Sequence, residues 1–192
     1  MPNAARNRAP FVTIAVALLS LAFAVLPLVN SLEFDREAVI AGQAWRLWTG
    51  HLVHFSLQQL FLDIGAVILV GTVAENEIGS RFTALALLIG MPVLSAGLLL
   101  LVPDLVQYRG ASGMAMLLAF IGGTALWYRL PEFRAILAIL VAVLATKATL
   151  DAVGLASVTS GLPSGIKVAW HAHVLGAGIG WAYARVMLKE RM

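Results

Sequence analysis

A serine set among small residues (Gly110, Ala111, Ser112, Gly113) and a histidine in the run Ala172, His173, Val174, Leu175, Gly176 are the side chains of this 192-residue chain whose chemistry stands out. A serine hydroxyl and an imidazole close in space are the minimum for acyl transfer, the hydroxyl attacking and the ring taking its proton. A second polar set precedes them: Ser56, Gln59 and Asp63, spaced three and four apart as on one helix face, with His51 and His54 just before. With no cysteine in the chain, thiol catalysis, disulfides and thiolate metal sites are excluded. Each feature also has a plain structural reading. A serine between glycines at a helix start is most often an N-cap, a buried histidine often just bonds a carbonyl, small residues four apart usually serve packing, and Asp63 could belong to a proton or ion path.

The elements that would position these residues are membrane helices. Sixty per cent of the residues are hydrophobic, only 12% are charged, and the mean hydropathy is +0.90. A bilayer core of about 30 Å needs roughly 20 apolar residues per span. Apolar runs predict an all-α bundle of six transmembrane helices at residues 11–29, 52–74, 82–102, 111–128, 133–150 and 168–188, in a single domain covering 1–192. The first run, Phe11 to Val29, lacks a small-x-small cleavage site before Asn30 and reads as a membrane helix, not a cleaved signal. Polar breaks separate the runs: a longer loop from Asn30 to Gly50, a charged turn from Glu75 to Arg81, the Pro103 to Arg109 stretch, Pro131, and the Gly161, Pro163, Gly165 stretch. With the N-terminus in the cytoplasm, eight basic residues (Arg6, Arg8, Arg81, Arg129, Arg134, Arg185, Lys189, Arg191) fall inside and five (Arg36, Arg46, Arg109, Lys147, Lys167) outside, which favours both termini in the cytoplasm.

In that topology the second, fourth and sixth helices all start from the outer side, so their polar residues share one leaflet. Ser112 sits at the N-terminal end of the fourth helix, where unpaired amides and the positive end of the helix dipole suit a developing oxyanion. Gly176 and Gly180, set against Ala115, Ala119 and Gly122 or Gly123, would let the fourth and sixth helices approach closely enough to join serine and histidine.

Other classes fit poorly. The net charge of +3 is scattered over loops and ends with no basic face carrying interleaved aromatics, so nucleic acid is not an expected partner. A metal or proton pathway through His51, His54, His171, His173 and Asp63 has competent ligands. His171 and His173, however, lie about 200° apart on a helix, and the zinc-protease pattern His-Glu-x-x-His is absent. No metal or organic cofactor is expected.

In its ordered motifs, nearly all of the chain after the first helix resembles the rhomboid intramembrane serine proteases. The shared motifs are Trp45-Arg46, the run from His51 to Leu57, the set Gly71, Glu75, Gly79 and Ser80, the Gly-x-Ser-Gly around Ser112 and the Ala-His-x-x-Gly around His173. Within that family, the six-helix layout, the segment Trp45 to His54 and the Tyr108-Arg109 lead-in look most like rhombosortases. Those are Gram-negative relatives thought to process proteins bearing a C-terminal glycine-rich motif, a transmembrane helix and a basic tail. The resemblance implies a multi-pass protein of the bacterial inner membrane whose partners are the lipid bilayer and a single-pass membrane substrate. It leaves the oligomeric state open.

The family usually places a His and an Asn, four residues apart, on the second helix at the oxyanion site. Aligned through His54, those positions hold Gln59 and Asp63. Gln59 retains an amide donor, whereas Asp63 would help an oxyanion only if protonated. The resemblance thus implies cleavage in the outer leaflet by a Ser112–His173 dyad, with Gly110, Ala111, Gln59, Asp63 and His54 around the oxyanion and water arriving past His51, His54 and Ser56. No third, orienting acid is evident near His173. The alternative is a pseudoprotease that binds transmembrane segments without cutting them.

Overall fold

The computed structural model describes residues 9–153 and 170–189. In chain order the elements are α1 (Phe11–Val25), α2 (Val29–Leu32), β1 (Phe34–Asp35), α3 (Arg36–Ile40), α4 (Arg46–Thr49), α5 (Leu57–Ile78), α6 (Ser80–Leu101), β2 (Gln107–Tyr108), α7 (Ser112–Arg129), a 3-10 turn (Pro131–Phe133), α8 (Arg134–Ala152) and α9 (Trp170–Lys189). Among the described residues three helical runs are long and apolar enough to cross a bilayer: α5, α6, and the 3-10 turn continuing into α8. The chain is therefore an all-α membrane protein. The sequence-based count of six spans also needs α1, which is shorter at 15 residues, and α7 and α9, which carry glycine, serine and histidine where the other helices carry leucine.

Helix ends differ from the sequence reading for local reasons. α1 stops at Val25, not residue 29, because Leu26 is extended ahead of Pro27. α5 starts at Leu57 instead of residue 52, since the Ser56 hydroxyl accepts the Gln59 N–H at 3.1 Å and caps the helix. It continues past Glu75 to Ile78 and ends at Gly79, whose φ of +88° only glycine adopts readily. α8 ends two residues later than expected, at Ala152, and takes Asp151 into the helix. The Gly161, Pro163, Gly165 stretch, Lys167, residues 168–169, Arg6, Arg8 and Arg191 lie outside the described residues.

α7 is the central helix, packed most extensively on α9 and next on α5. Its buried side chains include Met114, Leu117, Leu118 and Ile121. The α7–α9 approach is set by glycine, as expected, but in a different register. A Cβ on Gly176 would lie 2.2 Å from the Gly113 carbonyl oxygen, and one on Gly180 would lie 2.2 Å from that of Leu117. Gly122 instead faces α5, at Val73 and Ala74. On the far end of the bundle, Glu75 of α5 accepts the Val12 and Thr13 amides at 3.0 and 2.9 Å and the Thr13 hydroxyl at 2.9 Å. It thereby caps α1, whose own N-cap residue, Pro10, has no side-chain acceptor.

The expected loop from Asn30 to Gly50 is itself folded. Trp45, Arg46 and Thr49 satisfy the last carbonyls of α2: the Trp45 indole donates to Ser31 O, Arg46 to Asn30 O and Glu33 O, and Thr49 to Leu32 O. The segment then docks on α6. Pro92 has no N–H to give the Leu88 carbonyl, and the Trp48 indole takes that acceptor at 2.8 Å. The Ser95 hydroxyl donates to Leu47 O at 2.9 Å, so its lone pair receives Nε2–H of His51, which also reaches Met91 O at 3.2 Å. β1 and β2 pair antiparallel, Phe34 opposite Tyr108 and Asp35 opposite Gln107, and tie this segment to the stretch leading into α7.

Two expectations follow. Gly180→Ala should weaken the bundle markedly, because its Cβ meets backbone, whereas Gly178→Ala, with nothing within 4 Å of the added atom, should be neutral or stabilising; thermal unfolding in detergent compares them. Burial lowers the His51 ring from its usual 6.5 to about 4, partly offset by the bond to Met91 O. Its folded-state value lies below the unfolded one, so the neutral ring's contribution to stability is complete above pH 6.5 and is lost as pH falls toward 4. Thermal unfolding between pH 7 and 4 should therefore show a steeper loss in wild type than in His51→Gln.

Candidate active site

Ser112 is the first residue of α7, and the N-cap is Ala111. The serine hydroxyl is not spent on capping. Its Oγ lies 3.0 Å from Nε2 of His173, which sits in the first turn of α9 and is buried. The two sequence motifs thus meet. Their contact is bracketed by backbone packing, with Gly113 next to the serine against Ala172 O beside the histidine and against Gly176 one turn on.

The lead-in to the serine is held from three sides. Gly110 has φ +130°, and a Cβ there would lie 2.4 Å from Gln59 Nε2, so both conformation and space require glycine. Its N–H donates to Gly50 O at 3.2 Å, and its carbonyl accepts the Tyr108 hydroxyl at 2.8 Å. Arg109 binds the Glu33 carboxylate at 2.7 Å and stacks over Phe55, 4.7 Å from the ring centroid. Tyr108 is buried and meets His51 edge-on; burial, reinforced by the negative charge of Asp63, pushes its phenol well above the usual range and keeps it a neutral donor.

The remaining predicted residues surround the serine with other tasks. Gln59 accepts the Phe55 N–H at 2.9 Å and donates through Nε2 to Arg109 O at 3.0 Å, so its amide braces the loop. Asp63 Oδ2 accepts the Ala111 N–H at 2.8 Å, where a carboxylate acts as an acceptor. One of the amides expected to serve an oxyanion is therefore engaged, and the Gly113 amide turns to the Tyr108 phenol oxygen, so the amide of Ser112 is among those left ahead of the first helical bond from Ala115 N to Ala111 O. His54 Nε2 stands 3.3 Å from Asp63 Oδ2, with neither ring nitrogen in an aligned hydrogen bond among the described residues. A cavity of about 310 Å³ is lined by His54, Phe55 and Ser56 with Phe23 and Leu60. His51, expected beside the water path, is instead fully buried. His171 stacks on Trp170.

Three groups were missed in the sequence. Glu33 falls there only within the Asn30 to Gly50 loop, and Tyr108 and Arg109 only within a motif. The third is Asp151 of α8, fully buried at its side chain, with Oδ2 3.7 Å from Nδ1 of His173. The expectation that no acid stands near His173 is corrected by this placement. The available signal was an ionisable pair, Lys147 and Asp151, four residues apart at the end of an apolar helix.

A serine hydroxyl in contact with a buried imidazole at the end of a helical membrane bundle has the groups that acyl transfer needs. The rhomboid domain family matches residues 41–190, and the chain belongs to the rhomboid family, whose members are in general intramembrane serine proteases and act on membrane proteins. No curated protein matches the chain.

Asp63→Ala should free the Ala111 amide and lower thermal stability by about 1–3 kcal/mol, whereas Asp63→Asn, which keeps an acceptor oxygen, should lose less. Melting of the three proteins in one detergent checks this.

Proposed function

We propose that the chain is an intramembrane serine endopeptidase in which Ser112 is the nucleophile and His173 the general base. The observation that carries this reading is the 3.0 Å contact between Ser112 Oγ and His173 Nε2. Nε2 takes the hydroxyl proton as the serine oxygen bonds to the scissile carbonyl, and the oxyanion rests on the amide of Ser112 and its neighbours in the first turn. The protonated ring then gives its proton to the leaving amine, and water releases the acyl group by the same route in reverse. Tyr108, Gln59 and Asp63 fix the backbone that carries the serine.

The substrate is a single-pass membrane protein whose helix unwinds at small residues, because a closed helix hides its peptide bonds. The rhombosortase-like motifs support a C-terminal glycine-rich, transmembrane sorting signal as the segment removed. The eight-to-five basic bias supports a bacterial inner-membrane protein of six spans, with both termini cytoplasmic and cutting in the outer leaflet. One observation favours a pseudoprotease: Gln59 and Asp63 are engaged with Arg109 O and Ala111 N and do not face an open oxyanion position. That reading has no use for a bonded Ser112–His173 pair.

Labelling of the detergent-purified protein with a fluorophosphonate serine probe decides between them. Wild type should label, and both Ser112→Ala and His173→Ala should not. A folded wild type that stays unlabelled, while an active rhomboid reacts in parallel, would leave the pseudoprotease.

A further inference from the structure

α8 turns almost its whole surface outward: of the 19 residues from Arg134 to Ala152, Asp151 alone is buried. A carboxylate buried against an apolar membrane helix is costly to place there, so it needs a partner or a task. Asp151 has one partner, Lys147, whose Nζ donates to Oδ2 at 2.7 Å, but that lysine is half exposed and bonds only one of the two oxygens. Oδ1 is buried with no hydrogen-bond partner among the described residues. The titratable group facing the carboxylate from the neighbouring helix is the His173 ring, with Nδ1 at 3.7 Å.

The chemistry of the ring states what is needed there. If Nε2 is to accept the Ser112 proton, a neutral imidazole must carry its own proton on Nδ1, and that N–H needs an acceptor. We propose that Asp151 is the positioning carboxylate of this site, accepting Nδ1–H of His173 and holding the ring in the tautomer that leaves Nε2 free for Ser112. The terminal torsion of an aspartate is soft. A modest rotation about it can close the 3.7 Å gap between the carboxylate and Nδ1. During the reaction the proton moves from Ser112 Oγ to Nε2 and later to the leaving amine; Nδ1 keeps its own proton, and Asp151 remains ionised beside the imidazolium. Asp63, the other acid near the ring, is committed to the Ala111 amide.

This inference rests on the protease reading for its catalytic consequence, but the Asp151–His173 contact can be read without activity. The experiment uses the full chain in detergent with ¹⁵N-labelled histidine, His173→Gln assigning the signal, and compares wild type, Asp151→Asn, Asp151→Glu and Lys147→Met by ¹⁵N spectra, fluorophosphonate labelling rate and melting. The expected result is an Nδ1–H tautomer in wild type and a shift toward Nε2–H in Asp151→Asn. Labelling should slow by about 100-fold in Asp151→Asn, with partial recovery in Asp151→Glu. Lys147→Met should keep the wild-type tautomer and label. An unchanged tautomer and rate in Asp151→Asn, with equal melting losses for Asp151→Asn and Lys147→Met, would overturn the proposal and leave Asp151 as the lysine's partner only. If wild type itself fails to label, the protease reading falls, while the tautomer comparison still decides the contact. Should Asp151→Asn not fold, Lys147→Met is decisive: an Nε2–H tautomer there would sink the proposal.

Discussion

The contact on which the rest depends is backbone against backbone. α9 lies on α7 with Gly176 over the Gly113 carbonyl and Gly180 over that of Leu117, each too close for a side chain. Membrane helices gain little from moving apolar surface out of lipid, so close van der Waals approach through small residues is what holds them. His173 sits three residues before Gly176, and Ser112 is adjacent to Gly113. The same approach that joins the helices therefore sets the distance between hydroxyl and imidazole. The next position on each helix is as constrained: a Cβ on Gly113 would meet Ala172 O at 3.1 Å.

A second constraint is the absence of water around buried backbone. Several helix ends here are completed by a side chain from elsewhere in the sequence. Glu75 caps α1 from α5, the Trp45–Arg46–Thr49 group closes α2, Arg36 reaches Val102 O at the end of α6 at 2.7 Å, and Asp63 takes the amide just before α7. Residues that looked catalytic by motif are thus partly architectural. Gln59 and Asp63 fix the backbone that presents Ser112, and His51 docks the loop on α6 beside the carbonyl freed by Pro92. Immobilising the loop and presenting the nucleophile are one task at this end of the bundle.

The electrostatics follow the same division. Asp63 lies on the loop side of the serine with His54 and Tyr108, while Asp151 lies on the far side of the histidine with Lys147. The two acids bracket the pair from different helices, and each already has a hydrogen-bond donor of its own. A low-dielectric setting requires a partner for each buried acid, and each has one: the Ala111 amide for Asp63 and Lys147 for Asp151.

The sequence by itself determined the membrane class, the approximate position of every long helix, and the serine and histidine as the pair to join. Those follow from local properties: apolar run length, glycine and proline breaks, and residue type. It also determined that glycines on α9 would carry the approach to α7, but not which α7 residues they meet, because a 3.6-residue helix offers several faces of small residues and only packing selects one. What the tertiary structure alone decided is where hydrogen bonds between distant segments go, Glu75 to α1, Gln59 to Arg109 O and Asp63 to the Ala111 amide, and that Asp151 stands behind His173, Oδ2 3.7 Å from Nδ1. Such partners are dozens of residues apart in most cases, and nothing in their local spacing encodes the pairing. They are fixed by which buried donors and acceptors are left over once the helices have packed.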